Sequence, residues 1–271
     1  GSIENRSMGG MSVVADSIHM NVMNPASYSS LKLTTFSIGG TFAATKLKTN
    51  TQNEKAQRTT LDYLAVGIPV KKLGIGFGLI PFSAVGYNIS NTTYPSNGIQ
   101  SINYYYGDGG MNKVFLGFGY QLTKKLSFGA DVQYNFGKID TKSVAIMYDA
   151  NNIPVQYGTG EANRSNISGL NFNTGVSFNS KLYKKVSIFS SATYSPESTL
   201  NLVNSRTIAA VQGISGATEV IVGDALDISV ANTKLKLPSK FTFGVGIAET
   251  KKWIVGSELV FQNSSNFGNR F

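Results

Sequence analysis

The chain has 271 residues, of which 41% are hydrophobic, 11% aromatic and 29 glycine, with no cysteine and a formal net charge of +9. No run of about 18 apolar residues occurs, which excludes a transmembrane helix, and the absence of cysteine excludes a disulfide framework. Eight of the 24 Lys and Arg residues sit in four Lys-Lys pairs, and there is no arginine-and-aromatic cluster for base stacking, so nucleic acid is not an expected partner.

Taken in chain order, residues 1–30 come first and do not alternate. The stretch "ADSIHMNVM" suits a short helix starting near Asp16 or Ser17 and ended by Pro25, because the residue before proline is pushed out of helical geometry. Met8, Met11, Met20 and Met23 supply adaptable apolar surface that is costly to leave in water. If a barrel follows, this leader either hangs free or folds into the lumen as a plug, and the methionines favour the plug. No signal-peptide pattern precedes it, so the expected start lies after a removed leader.

From residue 31 onward the pattern changes. In "TKKLSFGADVQYNFGK", Leu126, Phe128, Ala130, Val132, Tyr134 and Phe136 are separated by polar residues or glycine. A period of two marks a strand with one apolar face. The same alternation recurs around "GLNFNTGVSF", "KFTFGVGIAE" and the glycine-rich "PVKKLGIGFGL". The Lys pairs at 71–72, 124–125, 184–185 and 251–252 each lie between two such runs and therefore mark hairpin turns. On the opposite side, residues 46–60, 89–110, 139–163 and 196–239 are expected to be long polar loops. Runs of roughly ten residues, short turns at one end and long loops at the other describe a transmembrane antiparallel β-barrel of the outer-membrane type. A soluble barrel or sandwich also alternates, but it does not sort its loops by length in this way.

With the lysine turns in the periplasm, the strands are expected at 31–45, 61–70, 73–88, 111–122, 126–138, 164–180, 185–195, 240–249 and 252–263. Nine is an odd number, and the first and last strands both run outward, so they cannot pair antiparallel. The expected organisation is an N-terminal plug at 1–30 and a barrel at 31–271, completed by strands beyond these nine, with Phe271 an accidental end. Leu126, Phe128, Val132, Tyr134 and Phe136 should face lipid. Asp131, Gln133, Asn135, Asn171, Asn173, Glu258 and Gln262 should line the lumen. The turn lysines would meet anionic phospholipid headgroups of the periplasmic leaflet.

Catalysis is not expected. The only histidine, His19, lies in the leader, away from any nucleophile on a strand, and no cluster has metal-ligand spacing. The glycines of "LGIGFGL" alternate with apolar residues as strand patterning, not as a dinucleotide loop. No cofactor is implied.

Three segments carry a resemblance. "SMGGMSVV" with "NPASYSSL", "LIPFSAVGY" at 79–87, and "LKLPSKFTFGVGIAETKKWIVGSELVFQNSSNF" resemble the FadL/OmpP1/TodX family of outer-membrane transport proteins, in its Bacteroidota-type branch. The late segment departs from that family in having Asn263 in place of a tryptophan. The resemblance implies a fourteen-stranded FadL-like barrel, about nine of whose strands are visible here, with Asn24, Pro25 and Ala26 as the motif of an N-terminal hatch. It further implies a strand kink and lateral opening at Pro81 and Phe82. The implied function is uptake of hydrophobic small molecules such as fatty acids across the outer membrane of a Gram-negative bacterium, with outer-membrane lipids and the hydrophobic ligand as partners. The alternative is a non-transporting barrel that serves as a partner subunit of a secretion or assembly complex, binding other envelope proteins. The long segment 196–239 is apolar enough to cap the barrel or dock such a partner.

Overall fold

The computed structural model describes residues 2–48, 53–94, 99–183, 185–215, 218–249 and 252–264. The protein is almost entirely antiparallel sheet, with one short helix, α1 (Ile3–Ser7), and a 3₁₀ helix at Pro25–Ser30. Among the described residues twelve strands follow in one sheet: β1 (Thr35–Lys48), β2 (Asn53–Val70), β3 (Leu73–Thr93), β4 (Gln100–Gln121), β5 (Leu126–Tyr148), β6 (Gly158–Tyr183), β7 (Val186–Ser195), β8 (Ser198–Ser215), β9 (Thr218–Ile228), β10 (Thr233–Leu237), β11 (Lys240–Glu249) and β12 (Trp253–Gln262).

The main path through the sheet runs β1-β2-β3-β4-β5-β6-β7-β11-β12. The remaining strands extend it. The inner half of β6 pairs with β7 and its outer half with β8, while β10 pairs with β8 and β11 with β7. Each of these two lines is interrupted beside a proline, Pro196 or Pro238, which cannot donate to a ladder. Nine spans among the described residues therefore traverse the wall. Among the described residues β1 and β12 do not pair with each other, so the sheet is not closed between them.

The regions expected to be long loops are largely strand. β3 to β6 are 21 to 26 residues long, whereas β7, β11 and β12 have 10 each. The shorter length is what a tilted strand needs to cross the hydrocarbon layer. Above that level no lipid is present to demand one apolar face, so the ladder continues without the alternation that marks it in the sequence. Segment 196–239 likewise holds β8, β9 and β10.

Within the membrane-crossing part, the apolar face points away from the interior. Phe128, Val132, Tyr134, Leu170 and Phe172 are exposed, while Ser127, Asp131, Asn135, Asn171 and Asn173 are buried. A soluble sheet would reverse this. Ring pairs such as Tyr134–Phe136, with centroids 6.0 Å apart, stand on the outward surface. No helix among the described residues is long and apolar enough to cross a membrane.

Candidate functional site

The site begins with glycine. Gly74 pairs with Gly119, Gly119 with Gly129, and Gly129 with Gly175, so one row of four directly opposed glycines crosses β3 to β6. A second row, Gly67, Gly76 and Gly117, runs beside it from β2 to β4. All occupy interior-facing positions, where a missing side chain leaves bare backbone as the floor of a trough.

The N-terminal segment lies in this trough. A Cβ added to Gly74 would fall 1.9 Å from the Tyr28 carbonyl oxygen, and one at Gly129 would fall 2.4 Å from the Ala26 nitrogen. At Gly119 the obstruction is the Pro25 carbonyl at 2.5 Å, and at Gly175 it is Asn24 Oδ1 at 2.2 Å. Only glycine admits backbone this close. Asn24, Pro25, Ala26 and Tyr28 are consequently buried. Met20, Val22 and Tyr28 complete an apolar cluster with Tyr63, Ala65 and Phe115 of the wall.

Local chemistry explains the conformation of the segment. Asn24 is the N-cap of the 3₁₀ helix: its Oδ1 accepts from the Ala26 amide at 3.0 Å, and Pro25 occupies the first helical position. Proline is favoured there because that N–H has no partner in any case. Pro25 thus starts a helical turn and does not end one. The helix expected over 15–23 does not form. Its residues instead make tertiary and turn contacts, such as the Asn21 side-chain Nδ2 donating to the Ser12 carbonyl at 2.6 Å. His19 Nδ1 meets the Asp16 carboxylate within an exposed turn.

The first twelve residues are held differently. Arg6 contacts Asp62 at 2.5 Å on β2 and donates to Thr41 at 2.9 Å on β1. Ser12 donates through its amide and hydroxyl to Glu258 Oε2 on β12, at 2.7 and 3.0 Å. One short segment therefore touches both ends of the strand path. Six residues reach at most about 20 Å, so the sheet curls enough to bring its two edges around the leader.

Beside the trough the wall is amide-rich. Gln133 and Asn173 donate to the two oxygens of Asp131 at 2.6 and 3.1 Å, and Asn135 donates to Asn171 at 2.6 Å. Asn171 and Lys113 both donate to Gln133 Oε1, at 3.0 and 2.9 Å. Burying this many polar groups is tolerable because most of them satisfy one another, the Asn135 Oδ1 being the member left without a partner. The Asn173 amide also reaches the Met23 carbonyl at 3.5 Å, which ties the network to the leader. A cavity of about 370 Å³ lies above, lined by Met23, Phe82, Lys113, Asn171, Lys240 and Gln262 among others. Lys113 Nζ stands 4.4 Å over the Phe82 ring. Phe82 itself is the extra residue of a β-bulge between Pro81 and Ser83, and the β3–β4 ladder resumes on both sides of it.

Asp131, Gln133, Asn135, Asn171 and Asn173 thus form one connected group, Glu258 anchors Ser12, and Pro81 with Phe82 makes a bulge. The glycine rows and Lys113 are not among the residues expected from the sequence to line the lumen. Interior-parity glycines recurring in "LGIGFG", "FLGFGY", "SFGADV" and "NTGVSF" were the available signal. Among the described residues, no group of three His, Cys, Asp or Glu could hold a metal ion.

A protein-family model, BamG, matches residues 1–271, and the chain belongs to that family, one of outer-membrane β-barrels associated with the Bam complex. No curated protein and no solved structure matches it. The match overturns the FadL/OmpP1/TodX resemblance, and the fatty-acid cargo, lipid transport and hydrophobic ligand that it implied lose their support. The segments behind that resemblance are devices any such wall can use. Asn-Pro-Ala caps a 3₁₀ helix, Pro-Phe makes a bulge, and Leu-Pro-Ser separates β10 from β11.

Proposed function

With membership of the BamG family as the premise, we propose that this chain is a non-catalytic barrel subunit of the outer-membrane protein assembly complex, working by contact with other envelope proteins. The observation that carries the proposal is the family match over the whole chain. The interior supports it. The N-terminal segment packs on glycine backbone across β3 to β6, as suits a fixed brace more than a mobile gate. The wall also rises on one side: β4, β5 and β6 extend well past the length of a membrane span, offering surface outside the lipid.

The test is copurification. Affinity-tagged full-length chain, extracted from native outer membranes in mild detergent, should elute with identified Bam subunits at a fixed molar ratio that survives size-exclusion chromatography. Elution of the chain alone, in otherwise intact membranes, overturns the proposal.

A further inference from the structure

The chain's positive charge is concentrated at one end of the barrel. Eight described lysines stand at the end where the short hairpins turn: Lys32, Lys181, Lys185, Lys252 and the pairs 71–72 and 124–125. All are exposed. The carboxylates at that end are Asp16, occupied by His19, and Glu249, whose Oε1 lies 2.9 Å from Lys252. An excess of six charges at this end accounts for most of the net +9 of the chain.

Three of these lysines do not sit on the lipid-facing perimeter. Lys124, Lys125 and Lys181 line a bay of about 590 Å³ at the mouth of the interior, together with Val13, Ala15 and Ser30 of the leader. Lys181 shares the strand parity of interior Asn173 and Gly175. Among the described residues none of the three has an ion-pair partner. Headgroups of the surrounding bilayer reach the perimeter, whereas this bay is bordered by the leader and by the buried Ser127 and Phe189 of the interior.

We infer that this bay is a docking site for an acidic segment of a periplasmic partner protein. The inference rests on the partner-subunit reading and adds a surface and a chemistry to it. Three unpaired ammonium groups around a concave opening give charge complementarity to clustered Asp and Glu, which steers encounter and fixes orientation. Lysine suits the task because its flexible stem adapts to carboxylates arriving in several geometries.

The experiment uses full-length protein in neutral phosphatidylcholine nanodiscs and a fluorescent deca-glutamate peptide as probe, read by anisotropy. The combined variant K124Q/K125Q/K181Q should weaken peptide binding by about tenfold, and added salt should abolish most of the remainder. The perimeter variant K71Q/K72Q should change it by less than about twofold. Equal loss in both variants, or unchanged binding in the bay variant, overturns the inference. So does loss of bound phosphatidylglycerol in native mass spectrometry of the bay variant while the peptide still binds, because the bay would then be a lipid site. In native membranes, the bay variant should lose copurifying Bam subunits that the wild-type chain retains. Retention by both defeats the docking site alone; absence from both defeats the subunit reading.

Discussion

The wall built from β3 to β6 and the wall built from β7, β11 and β12 both touch the N-terminal segment, the first through its backbone and the second through its side chains, Val13 resting on Gly244 among them. On the first, backbone lies against backbone: glycine rows clear a floor, and residues 24–29 press into it. On the second, Glu258 reaches out to Ser12. Van der Waals seating of this closeness tolerates no added atom, whereas a carboxylate hook tolerates adjustment of its side chain. The first wall should therefore fix where the segment sits, and the second should govern only its N-terminal third.

The hardest test of that division is Gly129→Val. Its branched side chain would occupy the space of Pro25 and Ala26, at a cost of about 1–3 kcal/mol or complete unseating of the segment. Hydrogen exchange of residues 20–31 should rise sharply while the strands stay protected. A retained, protected segment would mean that the trough is not its seat.

Glu258→Ala should act more locally. Losing a charged acceptor with two donors costs about 1–2 kcal/mol at that contact. Exchange should increase for residues 8–14, with 24–30 unchanged. Equal loosening of both parts would remove the distinction between seat and hook.

Asn24→Ala removes the cap of the 3₁₀ helix and should cost about 1 kcal/mol. Because the glycine floor remains, the segment should stay seated, with faster exchange confined to the Ala26 and Ser27 amides. Asn24→Ser, which can still cap, should restore them.

The smallest effect is expected in the turn that joins hook to seat. Burial alone would raise the Asp16 carboxyl, but hydrogen bonds from His19, Ser17 and Ile18 hold it below its ordinary value of 3.8. A depressed carboxylate contributes stability that is present above the unfolded value and is lost as pH falls through the folded one. Exchange at Ser17 and Ile18 should accordingly quicken only below about pH 4, and Asp16→Asn should abolish that dependence.

Strict alternation from Leu126 to Phe136, and its recurrence after each lysine turn, determined by itself that this chain forms spans with one lipid-facing side. Lipid on one face and a polar lumen on the other impose a period of two that local sequence must obey. The polarity of Asp131, Asn135, Asn171 and Asn173 was legible for the same reason. Their mutual bonding was not, since it depends on the register of β5 against β6. The outer parts of β3 to β6 were invisible because lipid no longer sets a period there, and their apolar burial is confined to local clusters such as Val144, Ile146 and Val211 that only the pairing with β8 assembles. The tertiary structure alone decided that glycines dispersed over five strands line up into two rows. It alone decided that Pro25 opens a helical turn, and that Ser12 and Glu258, 246 positions apart in sequence, meet. A row across a sheet is a property of register, which no single strand encodes.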